Sequence, residues 1–353
     1  MNETTNDLSE NEIQTLIGMI ELAEPVSTEN NNGYIFFPAN ENEAKKYFRK
    51  YALPWESAYA SLIIKGMLEK SKGCHVLTEE GKHAARKIRI ERPPIWYWYK
   101  EYYRAVSESK AHSIHCKKLY GKDLSQDGFC DMYQLNRMIE MLDIKKGGVI
   151  LDLGCGNGKI ADYISDKTRS IVIGVDYIPE AIEQSNKLAS IKMKNLKFIL
   201  GDINNLTYEA KSFDYIISID SLYMVHDLNS FVRNMNEFLK DGGKFAAFYS
   251  YEVSSHDKSN PSESLDPMGL PPGKTFHRNK ISFEFVDFSK ENHIHLQKKN
   301  RIIRRMKKQY EKEGNDFLYD SILSQSVEGD NPYDERTCNT RRYLYIAKRG
   351  DTF

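Results

Sequence analysis

The most chemically telling stretch is Val149-Ile150-Leu151-Asp152-Leu153-Gly154-Cys155-Gly156-Asn157-Gly158-Lys159. An apolar run with the length of a buried strand enters a glycine turn, and a helical pattern follows. Glycines at such a turn let the backbone pass within contact distance of a ligand, because no Cβ intervenes. Two readings compete. A dinucleotide fold wants G-x-G-x-x-G, with its third glycine packing helix on strand and a pyrophosphate at the helix start. Counted from Gly154, that third position is Lys159, and Gly158 comes one residue early. Asp152 also sits badly beside a pyrophosphate and suits a ligand bearing an ammonium group. Two more carboxylates, Asp176 and Asp202, end the next two apolar runs. All three then face one crevice at the strand ends, an arrangement that a ligand-free domain would not explain.

The run Asp152-Leu153-Gly154-Cys155-Gly156-Asn157-Gly158 resembles the first motif of the class I S-adenosylmethionine-dependent methyltransferases. The likeness continues in order to about residue 250. It passes through Gly174-Val175-Asp176, Phe198-Ile199-Leu200-Gly201-Asp202-Ile203, Phe213 to Asp220, and Leu239-Lys240-Asp241-Gly242-Gly243-Lys244-Phe245. It implies an α/β fold with a Rossmann-like, seven-stranded sheet whose last strand is antiparallel. It also implies S-adenosylmethionine as cofactor, held by Asp152, Gly154, Gly156, Asp176, Tyr177, Asp202, Ile203 and Asp220. In the family, the acid matched by Asp176 takes the ribose hydroxyls and the one matched by Asp202 meets the adenine amino group.

Methyl transfer to nitrogen or oxygen needs a free lone pair, hence a proton acceptor nearby. His226, in Ser221-Leu222-Tyr223-Met224-Val225-His226-Asp227, is the candidate base. Tyr223 and Tyr249 are candidate acceptor contacts on the same geometric ground. Tyr120 and Gln126 precede the helix that leads into the core, where the corresponding segment of similar enzymes closes over the cofactor. Asp220-Ser221-Leu222-Tyr223 stands where nucleobase and glutamine methyltransferases carry Asn-Pro-Pro-Tyr, so a small organic acceptor is expected. His112-x-x-His115-Cys116 and His293-x-His295 have ligand types but no partner cluster at zinc spacing, so no metal is expected.

These residues need elements to position them. Apolar runs at 149–153, 171–175, 196–200, 213–219 and 243–249 read as parallel strands, with helices at about 156–166, 178–191 and 227–240. Ile281 to Val286 and Arg341 to Lys348 read as the last two strands. An inserted helical segment at about 287–340 includes a basic helix from Lys290 to Lys312, read as a solvated cover for the site. Pro261 to Gly273 reads as a loop.

Residues 1–92 read as a mainly helical, winged-helix-like domain. It comprises helices over 8–22, 42–51 and 55–70, a turn at Asn30 to Gly33, a hairpin at Lys72-Gly73, and a helix capped by Thr78. Residues 93–142 form a helical linker or lid, containing the aromatic helix Ile95 to Ser109 and a helix over 131–142. Domain 143–353 is the methyltransferase. Trp55 to Lys70 carries only Lys65 and Lys70 against Glu56 and Glu69, a poor surface for DNA. A DNA-binding regulator that uses the cofactor fold as a sensor is therefore the alternative, and a homodimer through the N-terminal domain is preferred.

Composition agrees with this reading. Fifty basic and 50 acidic residues cancel, which argues against a coat for nucleic acid or an anionic membrane. No apolar stretch is long enough to span a bilayer. Five cysteines without a Cys-x-x-Cys pair point to a reducing cytoplasm.

Overall fold

The computed structural model describes residues 7–23, 53–92, 94–126, 128–192, 195–253 and 266–350. The expected turn at Asn30 to Gly33 and the helix over 42–51 lie outside the described residues. The chain divides into two compact units, Met1–Tyr102 and Tyr103–Phe353. The division falls inside an aromatic helix, ten residues beyond the Pro93-Pro94 break.

In the first unit, α1 (Glu10–Ala23) opens with a capping box. The Ser9 amide donates to the Glu12 carboxylate at 2.6 Å, and the Glu12 amide donates to Ser9 Oγ at 3.3 Å. The stripe Leu16, Ile17 and Ile20 is fully buried. Helix α2 (Glu56–Ile64) is shorter than its apolar pattern implies. Gly66, at φ +71°, turns the chain out of the helix. Leu68 to Ser71 then form β1, which pairs antiparallel with β2 (Cys74–Leu77) around Lys72-Gly73. Thr78 caps α3 (Glu79–Glu91) by accepting from the Gly81 amide at 3.0 Å. Helix α4 (Pro94–Glu108) follows.

The second unit starts with α5 (Lys110–Tyr120) and α6 (Met132–Leu142), the latter capped by Asp131. Strands β3 (Val149–Leu153), β4 (Ile171–Asp176), β5 (Leu196–Leu200), β6 (Phe213–Ile219) and β7 (Leu239–Glu252) follow, with α7 (Lys159–Thr168), α8 (Pro179–Lys192) and α9 (Leu228–Phe238) between them. After them come α10 (Pro271–Arg278), β8 (Phe283–Asp287), α11 (Ser289–Lys312), α12 (Asp316–Ser324) and β9 (Thr340–Lys348).

The seven strands lie in the order β5-β4-β3-β6-β7-β9-β8. The first five are parallel, and β9 runs antiparallel between β7 and β8. Alternate residues feed two cores. Leu151, Leu153, Val175 and Ile216 meet Phe231 and Met235 of α9, while Ile150, Val172 and Ile217 meet Ile164 and Met138 from α7 and α6. The strand order reverses between β4 and β6 around β3, so the ligand crevice of such a sheet opens at the end of β3.

Three expectations are corrected. Helix 55–70 ends at Ile64, because Gly66 stops it and Leu68 to Ser71 have an antiparallel partner. The end of the proline-rich stretch is helical, since Pro271 and Pro272 occupy the first helical positions, which need no amide donor. The basic helix 290–312 is not simply solvated. Asn292, His295, Lys299, Ile303 and Tyr310 are buried along one face. Its other face pairs outward, Arg304 with Glu328 and Lys307 with Glu311.

Glu12 anchors the first unit. Burial alone would raise its carboxyl, but hydrogen bonds from Ser61, Lys65 and Ser9 overcome this and hold it at about 2 against 4.5. A depressed acid adds stability above its unfolded value and loses it as pH falls toward the folded one. Glu12→Gln is expected to cost about 3 kcal/mol at pH 6, and the gap from wild type should close as pH falls from 4.5 to 2. All three tryptophans (Trp55, Trp96, Trp98) lie in this unit, so urea unfolding followed by their fluorescence reads it directly. A gap independent of pH would contradict the assignment.

Candidate functional site

The glycine turn is tied to the neighbouring strand by its backbone. The amides of Gly154 and Cys155 both donate to the Val175 carbonyl, at 2.8 and 3.0 Å. Asp176 ends β4 and accepts from the amides of Gly156 and Ile178, both at 2.9 Å. Its carboxylate therefore fixes both the turn and the entry to α8. Gly156 sits at φ +55°, and a Cβ there would meet Tyr103 Oη at 2.6 Å. The half-buried Tyr103 thus lies directly over the turn.

Asp152 lies beneath that turn, 3% exposed. Burial and then the charge of Asp176 push its carboxyl up to about 7. Burial pushes Asp176 up to about 6, against the pull of its backbone donors. Among the described residues no lysine or arginine pairs with either. Two buried carboxyls side by side, without a cation, favour a positively charged guest.

Asp202 caps a 3-10 turn, Ile203–Asn205, by accepting from the Asn204 amide at 2.9 Å. Asn204 then bridges two loops. Its Nδ2 donates to the Met224 carbonyl and its Oδ1 accepts from the His226 amide, each at 2.9 Å. His226 is held by its backbone, and the residue itself is exposed at the mouth. Ile203 is buried and Tyr177 half-buried beside this rim.

Asp220 follows β6 directly, at φ +56°. It receives a two-pronged ion pair from Arg342 of β9, with Nη1 to Oδ1 at 2.6 Å and Nη2 to Oδ2 at 3.1 Å. Arg342 is fully buried. It also donates to Gln134 Oε1 and Ser250 Oγ, each at 2.7 Å, and its guanidinium lies 4.8 Å from the Phe248 ring centre. Asp220, expected at the cofactor, thus has both oxygens committed to an arginine. The Phe129 amide donates to the same carboxylate at 3.1 Å, and a Cβ on Gly128 would come within 2.4 Å of it. Tyr223 Oη accepts from the Ser250 amide at 2.8 Å and donates to Asp220 at 3.5 Å. Burial and the Asp220 charge push its phenol far above the ordinary range. Tyr249 stacks obliquely on Tyr223 at 5.2 Å.

The segment between α5 and α6 is pinned at several points. Lys159, the first residue of α7, donates to Ser125 Oγ at 2.7 Å and pairs with Asp123 at 3.4 Å. Tyr120 Oη donates to the Gly128 carbonyl at 2.9 Å, and Gln126 Oε1 accepts from the Leu124 amide. Sequence reasoning missed Arg342, Lys159 and Tyr103. Arg341-Arg342 inside an otherwise apolar strand was a signal that could have found the first.

Residues 144–268 match a family model described as "Methyltransferase domain". This stretch, about a third of the chain, is similar to a methyltransferase domain. The sterol 24-C-methyltransferase erg6 of Aspergillus fumigatus is 27% identical over 138 residues, 38% of this chain and 37% of that one. Phosphoethanolamine N-methyltransferase 3 of Arabidopsis thaliana is 23% identical over 241 residues, 60% of this chain and 47% of that one. The chain thus spans less than half the length of these curated relatives. A solved phosphoethanolamine N-methyltransferase 2 of Haemonchus contortus superposes with a TM-score of 0.49 at 15% identity, covering 71% of this chain and 59% of that one. Among the described residues no group of three His, Cys, Asp or Glu side chains is placed to hold a metal ion, and no helix is long and apolar enough to cross a membrane.

The Asp220–Arg342 pair joins the end of the fourth parallel strand to the antiparallel one. Arg342→Met strips a buried carboxylate of its partner and should cost about 3–5 kcal/mol in urea unfolding. Adding Asp220→Asn should recover part of that loss, because the orphaned charge is then gone. Additive losses in the double variant would show that the pair is not coupled.

Proposed function

We propose that the protein transfers the methyl group of S-adenosylmethionine to a nitrogen or oxygen atom of a small organic acceptor. One observation carries the reading. Asp152 and Asp176 are buried together at the crevice of a parallel sheet, with negative charge that only a cationic ligand would offset. The bound cofactor supplies an electrophilic methyl group on a cationic sulfur. Asp152 holds the ammonium of its amino-acid arm, and the missing Cβ atoms of Gly154 and Gly156 let Ser221 and Tyr103 close against the turn beside it. Asp176 and Tyr177 orient the ribose, and Asp202 and Ile203 border the adenine.

Tyr223 and Tyr249 shape the acceptor side, and Tyr120 and Gln126 close it. His226 takes the proton from the acceptor, because the Tyr223 phenol stays protonated and cannot accept one, and Asp220 is neutralised by Arg342. Relatives named for a sterol and for phosphoethanolamine support a small acceptor.

The first unit serves in self-association in this reading, and a winged-helix-like arrangement is supported by the hairpin between α2 and α3. Ile64 is 86% exposed on α2, and Lys65 is spent on Glu12 rather than offered to a phosphate. All five cysteines are free thiols, which suits a reducing cytoplasm.

Raised carboxyls give this proposal a pH signature. Protonation of Asp152 and Asp176 competes with a cationic ligand, so affinity rises as pH climbs through 6 and 7 and protons are released on binding. Calorimetry with S-adenosylhomocysteine should show affinity gaining by up to about tenfold per pH unit there, with heats that depend on the buffer. Asp152→Asn should weaken binding about tenfold or more and flatten the profile. A pH-independent affinity that survives the substitution would sink the assignment. Turnover is then sought as S-adenosylhomocysteine release over amines, phenols and carboxylates.

A further inference from the structure

Helix α5 packs along α11, and together they bury a row of polar side chains that the cofactor site does not use. His112, His115, Asn292, His295 and Lys299 are each 4% exposed or less. Asn292, His295 and Lys299 recur at helical spacing and share the face turned to α5. The rings form a chain. His112 and His115 are 6.2 Å apart by ring centre, His115 and Tyr120 6.5 Å, and Tyr120 and His295 5.0 Å.

Several of their polar atoms are buried with no hydrogen-bond partner among the described residues. They are both ring nitrogens of His115, Nε2 of His295, both amide atoms of Asn292, and Nε2 of the nearby Gln126. Buried polar groups are almost always paired, so this much open capacity in one place calls for a guest. Burial pushes the His115 imidazole down to about 3 and that of His295 well below its ordinary value, so each is neutral at pH 7 and keeps an N–H to donate.

The sign of the local field selects the guest. The formal charges that act on His115 and His295 are positive, Lys299 on both, with Arg342 (itself paired with Asp220) and Lys298 also on His295, while Asp123 reaches only His112 at the far end of the row. Lys299 Nζ and the Arg342 guanidinium each lie 5.6 Å from the centre of the Phe129 ring. The Phe129 amide is bonded to Asp220, so the cluster adjoins the mouth of the methyltransferase site. A cation would be repelled here, and an anion would meet N–H donors and a favourable field.

We infer that the α5–α11 cluster receives an acidic group, a carboxylate or a phosphate, carried by the methyl acceptor. The inference rests on the methyl-transfer reading and narrows its acceptor to acids. His115, His295, Asn292 and Gln126 supply the hydrogen bonds, Lys299 the charge, and the Tyr120 and Phe129 rings an apolar wall beside it.

The test uses the full chain labelled with nitrogen-15 histidine and saturated with S-adenosylhomocysteine. Benzoate, phenyl phosphate and neutral benzamide are titrated separately, and the imidazole nitrogens are followed by NMR. The expected result is a saturable shift of His115 and His295 with benzoate, phenyl phosphate or both, about tenfold or more tighter than benzamide. Which acid binds names the group. His295→Phe should abolish the tight phase, and Gln126→Leu, a milder change in the covering segment, should weaken it. Equal binding of benzamide, or no shift with either acid, overturns the inference. Calorimetry on the same samples separates the two claims. Without S-adenosylhomocysteine binding the methyl-transfer reading falls, whereas binding with indifference to acids fells only this one.

Discussion

Two carboxyl groups held out of water at the ends of adjacent parallel strands constrain everything around them. Taking a carboxylate out of water is expensive, and placing a second beside it adds repulsion. Asp152 and Asp176 tolerate this because Asp176 spends its oxygens on backbone amides of Gly156 and Ile178. Those same bonds shape the glycine turn. The device that makes the negative charge bearable therefore also shapes the floor on which a cationic ligand would rest. Stability is given up at neutral pH in exchange for a site poised for positive charge.

A second buried charge sets the opposite wall. Arg342 reaches from the antiparallel strand to Asp220, and Asp220 in turn holds the Phe129 amide. Lys159, at the start of the helix after the glycine turn, holds the same segment from the other end through Ser125 and Asp123. Residues 123–125 and Phe129 are thus fastened by side chains from α7 and from the end of β6. A segment held this way can be released by breaking a few polar contacts, which suits a cover over a site that must exchange ligands.

Much of this was legible in the sequence because it is local. Apolar runs of strand length, a glycine turn and strand-end aspartates identify the sheet edge without knowledge of distant contacts. The Thr78 cap was equally readable. Errors arose where a pattern admitted two structures. The amphipathic run past Ile64 continues a helix on paper, yet Gly66 ends it and the following residues find a strand partner. The Lys290 to Lys312 run looks solvated because it is charged, but its buried face is itself polar, so hydrophobic periodicity could not reveal it. Contacts between remote segments were out of reach. Nothing near Asp220 foretells a partner 122 residues away, and nothing near Lys159 foretells Ser125.

The central claim is that S-adenosylmethionine lies at the strand ends of the second unit. Ultraviolet cross-linking with methyl-tritiated S-adenosylmethionine, followed by peptide mapping, tests it without a known acceptor. The account predicts label in the peptides that span residues 149–178 or 198–226, or in the one that carries Tyr103, with excess S-adenosylhomocysteine abolishing it. Label confined to the first unit, or label that excess S-adenosylhomocysteine does not displace, would contradict it.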